Sequence, residues 1–508
     1  MAPRGHLPAN LRHQARITES AARSVGLDFF EVVFEMLDAA DVNAVAAYGG
    51  FPVRYPSWRF GMHYERLQKG YEYGLSKIYE LVINNDPTYA YLVRSNSMME
   101  QKLVMAHVFG HADFFRHNAW FQPTDRGMLD RMAHHGGRVR RFVDAYGQDT
   151  VDHFLDQAIS LDNLIDPFLP ARELARAKQG CTESSSVTEH GLFTSLEVHR
   201  GSGASALPNY DILGHIAEHA PLEPWQRELL RIVRAEAYYF IPQRMTKIMN
   251  EGWASYWHSH LLTHGLLGPS EIVDFADCHA GATAVAPGQL NPYKLGIELF
   301  RHAHARGDDL FQLRRVHNDV SFIDHVVDED FARSNQLFVF RRNARTGKNV
   351  LVDRDWVAIK EQLLRELSWC GSPRIQLVEA DADGEGGLLL VHQHEGRDLK
   401  LDEAGAQLKT LAQVWGGPVH LLTLEEGEGR RISTDGQDVS VIETTRAQDA
   451  GGVAEQGVPA VEGSLEEVDA GPFLDGDERR RHHRDRQEIR AQPSCSYLAA
   501  QNAGTIIA

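Results

Sequence analysis

Two histidines, His107 and His111, stand one helical turn apart in the apolar run EQKLVMAHVFGHADFFRH, residues 100–117. Side chains at i and i+4 share a helix face, so both imidazoles can reach one metal ion. In the related spacing H-E-x-x-H, a Glu directly after the first His serves as general base in metal-assisted hydrolysis. Here that position is Val108. Two imidazoles do not hold a catalytic ion alone, so a third ligand has to come from another segment. Glu251 in NEGWASYWH is the best candidate, with His258 seven residues later on the same helix face as a further ligand. A carboxylate in so aromatic a setting either pairs with a cation or binds a metal, because an isolated buried carboxylate is strongly disfavoured. Lys247, at i−4, offers the pairing alternative.

Glu100 and Glu236 are the remaining carboxylates of interest. Either adds a metal ligand or supplies the base that Val108 cannot; the plain alternative is a solvated helix charge. Tyr293, next to Gly and Pro turns in PGQLNPYKLGIELF, offers a hydroxyl to a developing oxyanion, or else packs. The aromatic and arginine-rich stretch FPVRYPSWRFGMHYE, with Arg54, Tyr55, Trp58 and Arg59, either lines a pocket or forms a packed connector. There is no Gly-rich phosphate loop, G-x-S-x-G elbow or cysteine-nucleophile motif. A dinuclear carboxylate oxidase in a helix bundle would need Glu-x-x-His pairs at these sites, and they are absent.

The elements that must position these residues are mostly helices. Residues 1–24 read as a polar, loosely docked terminus. Helical periodicity follows over residues 28–48, ending at Gly49 and Gly50, and again over 64–81. YAYLVR, residues 89–94, alternates like a strand. The histidine helix spans 96–115, with Asn96 or Ser97 as its N-cap. Further helices are expected at 125–146, 150–165, 211–220, 223–240 and 243–262, with Pro242 kinking or ending the fourth and a loop over 170–208. From about residue 337, strands and helices alternate. The fold class is thus a mainly α-helical domain, residues 25–332, followed by a small α+β domain, residues 335–440. Residues 441–508 are rich in Gly, Ala and charge, and are expected to be disordered.

Composition narrows the class. A chain of 508 residues divides into more than one core. A net charge of −18 opposes general nucleic-acid binding, because phosphate contacts need Lys and Arg. The basic run ERRRHHRDR lies in the tail and reads as a solvated segment. No run of about eighteen apolar residues and no signal-peptide core occurs, which points to a cytoplasmic protein without a membrane span. The scattered Cys181, Cys278, Cys370 and Cys495 form no C-x-x-C pair, so neither a disulfide framework nor a cysteine-rich zinc site is indicated.

The motifs YGGFPVRYPSWRFGMHYE, AHVFGHADFF, SLDNLIDP, EAYYFIPQRMTKIMNEGWASYWH, NPYKLGIELF and NDVSFIDHVV closely resemble the stage V sporulation protein R (SpoVR) family, over residues 25–435. The resemblance implies a cytoplasmic bacterial protein linked to spore cortex or coat formation, or to a stress response. It also implies a serine protein kinase and a von Willebrand-like protein as partners. More remotely, the H-x-x-x-H and NEGWA segments are similar to gluzincin metallopeptidases, whose helical core holds zinc through two histidines and a downstream Glu. That resemblance implies zinc on His107, His111 and Glu251, with a peptidase or amidase reaction. Val108 departs from it. The alternative is a non-catalytic scaffold or regulator in a kinase-linked assembly that keeps a degenerate site.

Overall fold

The computed structural model describes residues 7–72, 80–180, 209–284, 291–335, 339–342, 349–353, 355–382 and 386–444, with Leu337 and Gly384. Helix α1 (Ala9–Ser24) leads into strand β1 (Val32–Leu37), then α2 (Ala39–Ala47) and α3 (Trp58–Glu72). Strands β2 (Glu80–Ile83) and β3 (Thr88–Val93) precede α4 (Met98–His117). There follow α5 (Met128–Tyr146), α6 (Gln148–Ser160), α7 (Leu169–Gly180), α8 (Ile212–His219), α9 (Pro224–Met245) and α10 (Lys247–Leu261). The helical part closes with α11 (Ile272–Ala282), α12 (Pro292–Arg306), α13 (Leu310–Val316), α14 (Asp319–Val326) and α15 (Glu329–Ser334). Hairpin β4 (Val339–Arg342) and β5 (Asn349–Asp353) is followed by α16 (Trp356–Leu367). The last unit holds β6 (Ile375–Ala382), β7 (Gly387–His392), α17 (Leu401–Trp415), β8 (Val419–Glu425), β9 (Glu428–Thr434) and β10 (Val439–Glu443).

Mainly helical with a small α+β unit behind it, this is the class that the periodicities indicate. Several local expectations change, among them the helix over 64–81, which ends at Glu72, with Glu80 and Leu81 opening strand β2 instead. Residues 32–37 form a strand, not the start of a helix, because VVFEML pairs in parallel with β3, Val32 opposite Thr88. The terminal segment is not loose: α1 buries Leu11, Thr18 and Ala22 and packs on the histidine helix. Helix α7 occupies the first part of the expected loop, and residues 181–208 lie outside the described residues. Helix α9 runs through Pro242 and stops at Thr246, whose hydroxyl and N–H both donate to the Pro242 carbonyl. The bond that Pro242 cannot make is the one to the carbonyl of Tyr238, and the helix runs on past it.

The last unit is a five-stranded sheet in the order β10-β9-β8-β7-β6. Only β7 and β8 are parallel, joined by α17 as the crossover helix. Strands β8 and β9 turn tightly at Glu426 and Gly427, both at positive φ, the geometry that suits a two-residue hairpin. Strand β10 extends to Glu443, slightly past the expected boundary of the tail; residues 445–508 lie outside the described residues.

Helix α4 is the middle of the first core. Ser97 caps it, accepting the Glu100 N–H while the Glu100 carboxylate accepts the Ser97 N–H. From Leu103 to Phe115 every side is buried, which an all-round apolar helix requires. Helices α4, α10 and α12 come together at glycines. A Cβ on Gly110 would lie 2.7 Å from the Ala254 Cα, and one on Gly252 would lie 2.4 Å from the Gly296 carbonyl carbon. On Gly296 it would meet the Ile248 oxygen at 2.2 Å. No side chain can give way there, since the obstacle is backbone.

Substituting Gly252 by Ala is expected to destabilise the fold by about 1–3 kcal/mol or more, as overpacking does. Gly137→Ala on α5 has open space around it. It is expected to stabilise by about 0.5–1 kcal/mol through helix propensity. Urea unfolding of the two variants beside the wild type checks both signs.

Candidate metal centre

The close approach of α4 and α10 carries Glu251 to the histidine pair. One carboxylate oxygen, Oε2, lies 3.5 Å from Nε2 of His107 and 3.5 Å from Nε2 of His111. His107, His111 and Glu251 are the group among the described residues whose ligating atoms lie within 4.8 Å of one another. Their exposures are 3%, 2% and 0%, so water does not screen them. A separation of 3.5 Å is long for a hydrogen bond. It suits two ligands of one ion, because donors about 2.0–2.1 Å from a tetrahedral zinc stand roughly 3.3 Å apart.

Electrostatics point the same way. Burial holds the His107 imidazole down to about 4, with the charge of His111 adding to the effect, so it is neutral near neutrality. Burial pushes the Glu251 carboxyl up, but the two imidazoles beside it outweigh that and bring it down to about 2. The carboxylate is a buried anion flanked by the two imidazoles, and among the described residues no Lys or Arg pairs with it. Neither oxygen of Glu251, nor Nε2 of His107, has a hydrogen-bond partner. Such a group is retained where a cation completes it. Lys247 is not that cation, because among the described residues it forms no ion pair with Glu251.

The rings are held from behind. Nδ1 of His111 lies 2.9 Å from Oδ1 of Asn250, and Nδ1 of His107 lies 2.9 Å from Nδ1 of His258. An imidazole that offers its Nε2 lone pair to an ion carries its proton on Nδ1. Asn250 and His258 are then the acceptors of those protons, and His258 turns its own Nε2 toward Nδ1 of His279, 3.4 Å away. The first turn of α10 is in turn fixed by Asp319 of α14, which accepts the N–H groups of Ile248 and Met249 at 2.9 and 2.8 Å. Asp113, two residues past His111, accepts the Trp253 indole N–H at 2.9 Å and ties α4 to α10 once more.

Of the residues singled out in the sequence, the structure unites His107, His111 and Glu251 and sets the buried Tyr293 ring beside His107, 6.4 Å between centroids. His258 stands behind the pair, its Nδ1 facing the His107 ring, outside the group whose ligating atoms converge. Glu100 lies outside that group as well: its carboxylate turns back to cap α4. Glu236 belongs to a second, separate buried network. Its Oε2 takes Arg54 at 2.6 Å and the Tyr55 hydroxyl at 3.0 Å, and its Oε1 takes His135 at 3.0 Å. With both oxygens engaged, it cannot act as a base at the histidine pair. Val108 lies fully buried in the apolar core. Asn250, Asp113, Asp319 and the three glycines were not legible as site residues. The signal available was a Gly inside each of HVFGH, NEGWA and KLGIE.

Two outcomes follow from this geometry. Without metal, Glu251→Gln is expected to be more stable than the wild type in thermal unfolding, because it removes a buried uncompensated charge. With metal, Asn250→Leu and His258→Phe are expected to lose roughly 10–100-fold in affinity, and His258→Gln, which keeps an acceptor, to lose less. Competition with a chromogenic chelator measures all three.

Against known protein families, residues 7–372 match the model described as SpoVR like protein, and residues 373–426 match the SpoVR-like C-terminal domain. The chain is similar to the uncharacterized protein YcgB of Escherichia coli (strain K12), with 28% identity over 462 residues, covering 79% of this chain and 89% of that protein. No solved structure matches it. Among the described residues no helix is long and apolar enough to cross a membrane. The metal-ligand candidates and the helices that hold them all fall inside the larger match, and the chain belongs to the SpoVR family.

Proposed function

We propose that this chain is a divalent-metal protein, with zinc on His107, His111 and Glu251, and that the centre serves hydrolysis of an amide or peptide bond. The observation that carries this reading is the ionised, fully buried Glu251 carboxylate with no hydrogen-bond partner, set between two imidazoles. A bound divalent ion supplies Lewis acidity, polarising a carbonyl and making water nucleophilic near neutrality. The chain's own contribution is positional. Asn250 and His258 hold the imidazoles in the ligating tautomer, and the helix contacts hold the three ligands in fixed, buried positions. Tyr293, beside His107, is the residue proposed to donate to the developing oxyanion.

A second reading is favoured by the residues around Val108. Glu100 and Glu236 are both committed elsewhere, so neither supplies the base that Val108 lacks. On this reading the ion is structural and the chain is a scaffold or regulator in a kinase-linked assembly. For either reading the family motifs support a cytoplasmic role in spore cortex or coat formation or in a stress response. They also support a serine protein kinase and a von Willebrand-like protein as partners.

Metal analysis of the purified wild type, His107→Ala and Glu251→Gln comes first. Stoichiometric divalent metal in the wild type and its loss in both variants is the expected result; a metal-free wild type ends the proposal. Chelation is expected to lower the wild-type Tm and leave that of Glu251→Gln unchanged. With the ion about a hundredfold above its Kd, the stabilisation removed is about 2.7 kcal/mol. If Glu251→Gln keeps the cellular phenotype of the wild type, the hydrolase reading fails and the scaffold reading stands.

A further inference from the structure

A second site stands apart from the histidine centre, where the motif of residues 48–65 meets the start of α6. A cavity of about 370 Å3 opens there, walled by Tyr48, Trp58, Phe60 and Tyr64, with Gln148 and Asp152 on the α6 side. We propose that it binds a small alkylated ammonium ion.

The first observation is that the walls are built to stay in place. Trp58 is 53% exposed, yet its indole N–H donates to Oδ2 of Asp156 at 2.5 Å. The other oxygen of Asp156 takes Arg59 at 2.7 Å. An exposed indole held in one orientation is a surface kept for contact, since a large aromatic left to solvent gains nothing by being fixed. Tyr48 and Phe60 are set from behind by Arg54. Its guanidinium donates to the Tyr48 carbonyl at 3.0 Å and lies 4.7 Å from the centre of the Phe60 ring. Arg54 is itself anchored by the buried Glu236, which also takes Tyr55 and His135. Burying that much charge contributes little net stability. Its evident product is a fixed segment from Phe51 to Phe60, which carries Trp58 and Phe60 of the aromatic wall.

The second observation is the charge of the cavity. Of the side chains that line it, Asp152 is the charged one. Among the described residues Asp152 has neither a hydrogen-bond nor an ion-pair partner. The neighbouring cations are neutralised in place, Arg54 by Glu236 and Arg59 by Asp156. An aromatic-walled cavity with one unmatched carboxylate suits a cation, and a cation that carries methyl groups is the kind that loses least on leaving water for aromatic walls. The volume lies at the small end of ligand pockets, which suits a compact ion over an extended chain.

Calorimetric titration of the full-length protein with choline, and with the neutral carbon isostere of choline, tests the assignment. Saturable binding of choline is expected, with the isostere weaker by roughly tenfold or more. Trp58→Ala and Asp152→Asn are each expected to weaken choline by roughly tenfold while leaving the circular dichroism spectrum unchanged. Equal binding of the isostere would show a merely apolar hollow and overturn the proposal. So would an absence of saturable choline binding, or binding that neither substitution weakens. Should Trp58→Ala not fold, Asp152→Asn, which changes only the charge of a partly exposed side chain, decides alone.

Discussion

Everything at the histidine centre depends on how closely three helix backbones approach. Ordinary helix pairs stand 8–10 Å apart, with side chains interleaved between them. At Gly110 against Ala254, and at Gly252 against Gly296, there is no room for even a methyl group. A carboxylate has a short reach, so Glu251 meets the two imidazoles only because α10 can lie this near α4. The same contact buries the three side chains and makes their charges expensive. Nothing else in the first core explains why a helix as apolar as α4 carries two histidines on one face.

Around that contact the chain fixes orientation by a sequence of accepting groups. Asn250 and His258 receive the ring N–H groups, Asp319 receives the first amides of α10, and Asp113 receives the Trp253 indole. Each lies on, or packs against, a helix that also contributes a ligand or a glycine contact. Burial holds Asp319 up to about 7, although its two backbone donors and Lys247 favour the charged form. The fold therefore carries a buried carboxyl group whose evident structural task is to hold one helix terminus in place.

Glu236 and Glu251 make the clearest comparison in the molecule. They sit on consecutive helices, in segments rich in aromatic residues, and both are buried, at 3% and 0% exposure. Around Glu236 the structure assembles Arg54, Tyr55 and His135, from the 48–65 motif and α5. Around Glu251 it assembles the His107 and His111 rings and, among the described residues, no Lys or Arg. The first carboxylate is thereby satisfied and becomes scaffolding. The second stays short of a cation and becomes a ligand candidate. The two desolvation costs are alike, and the difference lies wholly in which segments arrive.

Much of this was legible in the residues alone. Helical periodicity gave the class, the i, i+4 histidines gave the face, and the aromatic setting of Glu251 marked it as a carboxylate in need of a cation. The N-cap of α4 was legible to within one residue, Asn96 or Ser97, whereas the part of Glu100 in that cap was not. Where reading failed, the deciding contacts were distant. VVFEML has helix-compatible spacing and became a strand because β3 offers it a partner. The polar strand β9, EGRRIST, was not anticipated, since pairing with β8 and β10, not its own composition, makes it a strand. By itself the sequence determined local periodicity, capping and the supply of ligand types, all of which act over one or two turns. Only the tertiary structure decided which of Glu100, Glu236, Glu251 and His258 faces the histidine pair, because that turns on backbone approaches between segments far apart in the chain.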